Sequence, residues 1–348
     1  MITSRYQKQI LFGGIGRDGQ QRLGESRVLL VGCGALGCVL ADAMVRAGVG
    51  HVRIVDRDFV ELSNLQRQIL FDEQDVADHL PKAIAAERRL RKVNSEVTIE
   101  PVVADVDYSN IAQLANDASL ILDGTDNFEI RYLINDVSLE TRIPWIFTGC
   151  TGSVGQVMPV FPHQSACLRC LMPSPPPPGS TETCDTAGVI GPAVSIVASM
   201  QAAIALRILV GQGDQVERRL SIVDVWTGSF RPVDVSRLRD SGTCPACHNG
   251  ERLWLHGSQK AASTILCGRN AVQITPTEKV RISLEDLAVR LESAGVVTSN
   301  PFLVRVTISG PTDENPVELT VFPDGRAIIR GTDDPAVARS VYSRYIGT

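Results

Sequence analysis

A glycine-rich turn between a short apolar strand and a helix most constrains how this chain can fold. Residues 27–31, Arg-Val-Leu-Leu-Val, predict the strand, Gly32-Cys-Gly-Ala-Leu-Gly37 predicts the turn, and residues 38–47 predict the helix. A second strand is predicted over residues 51–55 and ends at Asp56. Strand, turn, helix and strand together span about thirty residues, which is the length of a βαβ unit with two parallel strands.

The same alternation of strands and helices continues beyond this unit. A charged helix is predicted over residues 82–92, and apolar strands over 97–103, 120–123 and 144–148. The predicted fold class is therefore α/β, a doubly wound, Rossmann-like and mostly parallel sheet. Ligands of such sheets bind at the carboxyl ends of the strands. Asp56, Asp123 and Asp126 lie at or just beyond such ends, so one pocket is expected to collect them.

The chain of 348 residues is long enough for two domains. We predict that residues 1–248 form the larger domain and residues 249–348 a small C-terminal α+β module of unknown role. In the module, Ser283 opens a helix with a capping-box pattern, and Pro335 is at the first position of another helix. Strands are predicted over residues 302–308, 317–322 and 326–330.

Composition and charge argue against several functions. The formal net charge is -5, so a general surface for the phosphate backbone of nucleic acids is not expected. Residues 188–211 are mostly small or apolar but include Gln201 and Arg207, which a bilayer centre disfavours, so we predict a buried helix and no membrane span. Residues 1–8 lack the apolar run of a secretion signal, and a cytoplasmic protein is expected.

The glycine turn predicts a site for a nucleotide that carries phosphate. Gly32 allows the tight turn, Gly34 lets the backbone approach phosphate, and Gly37 lets the helix pack on the strand. Asp56, at the end of the next strand, would meet a ribose hydroxyl. These residues alone leave NAD and ATP undecided.

A group of polar side chains after Asp56 favours ATP over a dinucleotide. Its members are Asn64, Arg67, Gln68, Lys82 and Asp126. Arg67 and Lys82 supply cations, and Asp126 supplies oxygen ligands for Mg²⁺. A dinucleotide dehydrogenase needs one acid for a ribose and has no use for this group. The residues therefore predict phosphoryl or nucleotidyl chemistry, which depends on positioning and on neutralising charge.

Two Cys-x-x-Cys pairs predict a metal site. The chain has nine cysteines, an odd number, and this usage argues against a disulfide framework. Cys167 and Cys170 form one pair, and Cys244 and Cys247 form the other. Four thiolates bind Zn²⁺ tetrahedrally and leave no open position, so the predicted zinc is structural. Because the pairs are far apart in the sequence, the metal would connect distant segments.

Several motifs together resemble the ThiF/MoeB family, whose members are relatives of ubiquitin-activating enzymes. They are Arg5-Tyr-Gln-Lys-Gln-Ile10, the turn at residues 32–37, Asp56, Ser63-Asn-Leu-Gln-Arg-Gln68, Pro81-Lys82 and Thr125-Asp-Asn127. The resemblance covers residues 1–248, with the motifs in the order and spacing of the family. It implies a homodimer that uses ATP and Mg²⁺ to adenylate the C-terminal glycine of a small ubiquitin-like sulfur-carrier protein ending in Gly-Gly.

The resemblance also implies roles for single residues. Asp56 would hold the ribose, Asn64, Arg67 and Lys82 would contact phosphates with Gln68 beside them, and Asp126 would bind Mg²⁺. Arg5 matches an arginine that reaches into the site of the partner subunit, which would make dimerisation a condition for catalysis. The family also has a structural zinc held by two cysteine pairs of this kind.

Cys184 has two alternative interpretations. In some members of the family, a cysteine at this place forms a covalent link with the carrier or with a sulfur donor protein, and in others it is dispensable. A thiolate there would attack the acyl-adenylate, whereas the alternative is an ordinary surface thiol. The resemblance leaves open whether the carrier serves thiamin, molybdopterin or tRNA thiolation. Cys267 is expected to be a packed thiol, because the C-terminal module lacks the features of a rhodanese domain.

Two other functions remain as alternatives from the sequence. A nicotinamide-dependent oxidoreductase would use the glycine turn and Asp56 but leaves Arg5, Arg67 and Asp126 without a role. A non-catalytic scaffold, like the inactive half of a heterodimeric activating enzyme, is disfavoured because the nucleotide set is complete in this sequence.

Overall fold

The chain divides into two units, Met1–Gln259 and Lys260–Thr348, in a computed structural model. The structure describes residues 4–176, 187–257, 264–266, 270–276, 281–308 and 316–346. The first unit extends past residue 248, where the sequence placed the boundary. Residues 251–257 remain with it because the backbone N–H of Trp254 donates to the buried Asp136 at 3.0 Å, and the Trp254 and Tyr132 ring centroids lie 4.4 Å apart.

An eight-stranded sheet forms the centre of the first unit. Its strands are β1 Arg27–Val31, β2 His51–Asp56, β3 Thr98–Val103, β4 Leu120–Asp123, β5 Trp145–Thr151, β6 Val154–Val160, β7 Arg219–Asp224 and β8 Ser229–Asp234. Their order in the sheet is β3-β2-β1-β4-β5-β6-β7-β8. The first five pair in parallel, and β6 to β8 continue the sheet antiparallel. The predicted α/β fold with a mostly parallel sheet is confirmed.

The chain order reverses between β1 and β4, which opens a crevice at the carboxyl ends of these two strands. β1 is buried on both faces, as a central parallel strand requires. Val28 and Leu30 belong to one hydrophobic core, while Leu29 and Val31 belong to the core on the other face. This alternation fixes which side each strand presents to its helices.

The α-helices of the first unit cover both faces of the sheet. They are Gln7–Leu11, Gly16–Glu25, Ala35–Ala47, Glu73–Ala77, Lys82–Val93, Ile111–Ala115, Phe128–Thr141, Leu168–Leu171, Gly191–Arg207 and Ser236–Asp240. The N-terminal helical segment is broken at Gly16, whose φ of 63° belongs to the left-handed region. Gly16 itself then begins the second helix.

The helix Gly191–Arg207, with its continuation to Gln215, is long and apolar enough to cross a membrane by length and composition. It nevertheless packs against the helix Ala35–Ala47 and against β5 and β6. The side chain of Gln201 is fully buried, and its Nε2 lies 3.2 Å from the carbonyl oxygen of Ile146 in β5. This agrees with the helix packed into the core that the sequence predicted for residues 188–211.

The second unit is an α+β module around an antiparallel sheet of six strands. These are β9 Thr264–Leu266, β10 Ala271–Ile274, β11 Gly295–Asn300, β12 Leu303–Ile308, β13 Val317–Val321 and β14 Ala327–Arg330, in the order β11-β12-β13-β14-β10-β9. The helices Leu284–Leu291 and Pro335–Tyr345 pack on it. Ser283 caps the first helix by accepting from the N–H of Asp286 at 3.3 Å, as the capping box predicted.

Candidate active site

The glycine turn after β1 packs directly against the turn after β4. Gly32 has a φ of 86°, and a Cβ there would lie 2.8 Å from the carbonyl oxygen of Gly124. A Cβ on Gly37 or on Gly124 would overlap the carbonyl oxygen of Gly32. These three glycines therefore allow three backbone segments to approach more closely than any side chain permits.

Gly34 differs from these glycines because a Cβ there would meet open space. The nearest atom would be Nε2 of Gln68, at 3.9 Å. Gly34 is the N-cap of the helix Ala35–Ala47, so the positive end of that helix faces the same space without a capping side chain. Gln68 is only 4% exposed, and its Oε1 has no hydrogen-bond partner among the described residues. This helix N-terminus has open space beside Gly34 and an unsatisfied polar side chain nearby, an arrangement that fits a phosphate ligand.

Asp56, at the end of β2, is held against the glycine turn by backbone donors. Its Oδ2 accepts from the N–H of Cys33 at 2.6 Å, and its Oδ1 accepts from the N–H of Asp58 at 2.7 Å. Burial raises the pKa of Asp56, while the nearby ammonium of Lys82 opposes that shift. The carboxylate thus lies where a ribose would approach, beside the turn that would hold the phosphates.

Lys82 reaches the site because two short segments pair with each other. Phe59 and Pro81 form an antiparallel bridge, and the N–H of Lys82 donates to the carbonyl of Asp58 at 2.9 Å. The Lys82 ammonium, 4% exposed, lies 3.2 Å from Oδ2 of Asp58. The structure therefore brings Lys82 to Asp56 and the turn, as expected, and adds Asp58 as a partner that the sequence analysis did not assign.

The loop that carries Asn64 and Arg67 lies between this site and the helix Gly191–Arg207. The Oδ1 of Asn64 accepts from the N–H of Glu61 at 3.1 Å, so part of this buried side chain stabilises the loop. The Nη1 of Arg67 donates to the carbonyl of Ser63 at 3.0 Å. A Cβ on Gly191 would lie 3.3 Å from the carbonyl oxygen of Gln66, which shows how closely the loop approaches that helix.

Asp126 is exposed on the turn after β4, and its charge contributes to raising the pKa of Arg57. Burial tends to lower the pKa of Arg57, but the carboxylates of Asp105, Asp58 and Asp126 together raise it. The Nη1 of Arg57 lies 3.0 Å from Oδ1 of Asp105. Arg57 and Asp105 were missed from the sequence. The available signals were the run Asp56-Arg57-Asp58 and an acid just after the third strand.

The turn that carries Asp126 rests on a buried ion pair. Asp123 is fully buried, and its Oδ2 lies 3.0 Å from Nε of Arg131. Its Oδ1 accepts from the N–H and the hydroxyl of Thr125 at 2.9 and 2.7 Å. The Nη2 of Arg131 donates to the carbonyl of Thr125 at 2.7 Å. Asp123 was expected in the pocket, but these contacts make it a support of the turn beneath Asp126.

Arg5 lies away from the other predicted residues of its own chain. Its Nη1 donates to the carbonyl oxygen of Val93, the last residue of the helix that Lys82 begins. That helix has 12 residues, so Arg5 contacts it about 16 Å from Lys82. The structure thus does not bring Arg5 to Lys82 within one chain.

The four cysteines of the two pairs converge in the first unit. The Sγ atoms of Cys167 and Cys244 lie 3.7 Å apart, those of Cys167 and Cys170 3.9 Å, and those of Cys170 and Cys247 3.5 Å. All four atoms lie within 4.8 Å of one another. Thiolates about 2.3 Å from a tetrahedral Zn²⁺ would be about 3.8 Å apart, so the cluster fits the predicted zinc.

Buried polar groups fix the elements around the cysteine cluster. The Oδ1 of Asn135 accepts from the N–H of Leu168 at 2.9 Å. Leu168 lies between Cys167 and Cys170 in sequence. The Nη1 of Arg252 donates to the carbonyl of Ala246, next to Cys247, at 2.9 Å. The helix Phe128–Thr141 therefore connects the cysteine cluster with the turn that carries Asp126.

Cys184 belongs to residues 177–186, and Cys267 to residues 267–269, both outside the described residues. The structure therefore does not test either prediction.

The comparisons with known proteins identify the family of this chain. The ThiF family model matches residues 6–246. The chain is 44% identical over 347 residues to the sulfur carrier protein ThiS adenylyltransferase of Bacillus subtilis, covering 99% of this chain and 100% of that protein. It is 38% identical over 249 residues to the sulfur carrier protein adenylyltransferase of Thermus thermophilus, covering 70% of this chain and 90% of that protein.

A solved structure shares the fold. The crystal structure of E. coli MccB with ATP aligns with a TM-score of 0.61 at 21% identity, covering 71% of this chain and 75% of that one. This likeness concerns the fold alone. The family model spans most of the first unit, and the B. subtilis relative matches nearly the whole chain, so this protein belongs to the ThiF family.

Proposed function

We propose that this protein is an ATP-dependent adenylyltransferase that activates the C-terminal glycine of a small ubiquitin-like sulfur-carrier protein ending in Gly-Gly. The observation that carries the proposal is the 44% identity, over both full lengths, to a protein named as a ThiS adenylyltransferase. The glycine turn, Asp56 and Lys82 supply the matching chemistry, since they gather a phosphate cradle, a ribose acceptor and a cation in one crevice.

In the proposed reaction, a carboxylate oxygen of the terminal glycine attacks the α-phosphorus of ATP. An O–P bond forms, the bond from the α-phosphorus to the oxygen that bridges to the β-phosphate breaks, and pyrophosphate leaves with the electron pair. A carboxylate is already ionised at neutral pH, so the enzyme needs no general base. Its task is to orient the two reactants and to stabilise the charge that moves onto pyrophosphate.

The residues of the crevice divide this task. Gly34 and the helix that it caps would receive phosphate oxygens, with Gln68 beside them. Asp56 would accept from the ribose hydroxyls. Asp58 holds the Lys82 ammonium close to the turn, so this cation is in place before ATP binds. Arg67 would add a second cation from the neighbouring loop.

Asn64 supports this arrangement in two ways. Its Oδ1 fixes the loop through Glu61, while its Nδ2 has no hydrogen-bond partner among the described residues and can donate to a phosphate. One side chain thus ties the shape of the loop to the binding of the ligand.

Asp126 fits a magnesium ligand because it is an exposed carboxylate on a turn fixed from below by Arg131. Mg²⁺ bound there would neutralise phosphate charge as a Lewis acid. Zn²⁺ in the cysteine cluster would be structural, because four thiolates leave no coordination position for substrate.

Homodimer formation is part of the proposal. Arg5 contacts the end of the helix Lys82–Val93 that is far from Lys82, so a role in catalysis requires that it enter the site of a second subunit. The outward face of the helix Gly191–Arg207 offers a surface of small and apolar side chains for such contact. Ile196 on this face is 42% exposed, and Ser199 and Ala203 are also exposed.

Adenylation would precede any thiol chemistry, so Cys184 would belong to a later step in which the activated carrier meets a sulfur donor. The proposed setting is the cytoplasm.

Pyrophosphate exchange tests the proposed reaction directly. The protein is incubated with ATP, Mg²⁺, labelled pyrophosphate and purified carriers ending in Gly-Gly, and label entering ATP is measured. We expect exchange that requires all components, and no exchange with the same carrier lacking its last glycine. Failure of every full-length carrier to support exchange would overturn the proposal.

A further inference from the structure

A cavity of about 390 Å³ opens in the first unit at the end of the sheet where the parallel strands begin, opposite the candidate active site. Its walls are formed by Arg142, Pro144, Phe161, Pro162, His163 and Gln164. Pro144 directly precedes β5, and Phe161 directly follows the antiparallel β6, so both lie at the end of the sheet where β5 begins. The nucleotide crevice lies at the opposite end, where the parallel strands terminate.

Three guanidinium groups lie in or beside this cavity: Arg142 is part of its wall, while Arg218 and Arg239 contact residues of the wall. Arg142 is exposed and forms no hydrogen bond or ion pair with any residue in the described ranges. Arg218 lies 4.9 Å from the centroid of the Phe161 ring and donates to Oε1 of Gln164 at 3.0 Å. Arg142 therefore places positive charge in the cavity wall, and Arg218 places it behind Phe161 and Gln164.

Arg239 supplies the third guanidinium group. Its Nη2 donates to the carbonyl oxygen of His163 at 2.5 Å, while its Nη1 is buried without a hydrogen-bond partner among the described residues. Because Nη1 is buried and Arg239 is not part of the wall, this residue contributes positive charge to the cavity through its neighbour His163 and no direct donor.

Two carboxylates close to these arginines in sequence are paired with other arginines. Glu140 lies 3.2 Å from Nε of Arg252, and Glu217 lies 2.6 Å from Nη1 of Arg219. Among the residues that the structure describes, Arg142, Arg218 and Arg239 form no ion pair with a carboxylate. In a chain with a net charge of -5, three unpaired arginines around one cavity form a local site of positive potential.

The backbone of the cavity wall is held in an unusual conformation. Arg142 and His163 have φ values of 62° and 60°, in the left-handed region that side chains other than glycine rarely adopt. Arg142 directly follows the helix Phe128–Thr141. Glycine is the usual residue in the left-handed conformation after a helix. Backbone outliers of this kind cluster at ligand sites.

Arg142 and Gln164 supply the donors of the wall. The Oε1 of Gln164 accepts from Arg218, which leaves the amide N–H groups of Gln164 for a ligand. The Nε2 of His163 donates to the carbonyl oxygen of Leu139 at 3.0 Å, so this hydrogen is already used within the protein. The wall therefore offers the donors of Arg142 and Gln164 beside apolar surfaces of Phe161 and two prolines.

We propose that this cavity binds a small polyvalent anion bearing phosphate or carboxylate groups, at a site separate from the nucleotide crevice. Guanidinium groups recognise both kinds of oxyanion through paired N–H donors. The cavity volume falls within the range of sites for small molecules. This inference does not depend on the adenylation reaction, because the cavity lies at the opposite end of the strands from the nucleotide crevice.

Isothermal titration of the full-length protein with citrate and, separately, with pyrophosphate tests the proposal in Mg²⁺-free buffer. At least one anion should bind, and Arg142→Gln and Arg218→Gln should each weaken that binding about tenfold or more. The anion that responds identifies the chemistry as carboxylate or phosphate. Arg142 is exposed, so its variant should melt like the wild type.

Two control variants locate the binding. Arg67→Gln removes a cation of the nucleotide crevice, and Arg231→Gln removes an exposed cation of β8; both should leave the cavity affinity within about twofold. Binding that is lost in Arg67→Gln but kept in Arg142→Gln would assign the anion to the crevice and overturn the proposal. Equal losses in Arg231→Gln and Arg142→Gln, or no binding of either anion, would also overturn it.

Discussion

The two clusters of functional side chains in the first unit are built in opposite ways. The nucleotide crevice gathers Asp56, Asp58 and Lys82 beside a glycine turn that leaves open space for a ligand. The cysteine cluster gathers Cys167 and Cys244 within a hydrophobic core, where both are buried. The first arrangement presents charge to a ligand, whereas the second joins distant segments of the chain.

This difference has energetic consequences. In the crevice, burial raises the pKa of Asp56, so the ionised carboxylate is held at a cost to the folded protein. In the cluster, the sulfur atoms are 3.5 to 3.9 Å apart, too far for disulfides, and hydrogen bonds from Cys167 and Cys170 lower the pKa of Cys244 to about 6. We therefore expect substitutions in the crevice to reduce activity and substitutions in the cluster to reduce stability.

The largest effect is expected for Asp126→Ala. Loss of the proposed magnesium ligand should lower pyrophosphate exchange about 10²- to 10³-fold, because stabilisation of phosphate charge is lost. Asp126 is exposed, so Tm should change by less than about 2 °C. Asp18→Ala, at an exposed acid of the N-terminal helices, is the matched control and should retain full exchange. Full activity of Asp126→Ala would contradict the metal role.

Cys244→Ser should show the reverse pattern. It removes one of four ligands, so zinc measured by elemental analysis should be lost, and Tm should fall by roughly 10 °C. Exchange measured well below the new Tm should fall far less than in Asp126→Ala. Cys150→Ser, at a cysteine outside the cluster, should keep zinc. If Cys244→Ser kept a full equivalent of zinc, the assignment of four sulfur ligands would fail.

The sequence predicted best those features that depend on neighbouring residues. The turn at Gly32 follows from local geometry, and the cysteine pairs carried their own signal of a shared metal. The pairing of Lys82 with Asp58 was missed because it depends on the bridge between Phe59 and Pro81, which no local pattern indicates.

The domain boundary was misplaced for a similar reason. Residues 251–257 belong to the first unit through contacts of Trp254 with Tyr132 and Asp136, which are more than a hundred positions earlier in the chain. Asp123 shows the same limit. Its position at the end of β4 suggested a ligand, and only the buried contact with Arg131 shows that it supports the turn.

Asp56→Asn separates function from stability within the crevice. Loss of a charged acceptor should raise the KM for ATP about tenfold. Because the folded pKa of Asp56 is raised, its contribution to stability is greatest below the unfolded pKa of about 3.9 and is lost as pH rises through the folded value. Asparagine does not ionise, so the Tm of the variant relative to wild type should increase between about pH 4 and pH 8, by about 2 to 4 °C.

Two measurements check this sign. Thermal melts of both proteins across that pH range give the Tm difference, and Asp18→Asn serves as a control whose difference from wild type should not increase with pH. A relative Tm of Asp56→Asn that falls as pH rises would show that the carboxylate stabilises the fold, against the effect of its burial.

The smallest effect on adenylation is expected for Cys184→Ala. The attack on the α-phosphorus uses the carboxylate of the carrier and needs no thiol, so exchange should remain within about twofold of wild type. Transfer of sulfur to the carrier, followed by mass spectrometry with a persulfide donor, is the step at which a covalent role would appear. If exchange itself collapsed in Cys184→Ala while Tm was unchanged, this cysteine would belong with Asp126 in the adenylation machinery, and the separation of adenylation from thiol chemistry would be wrong.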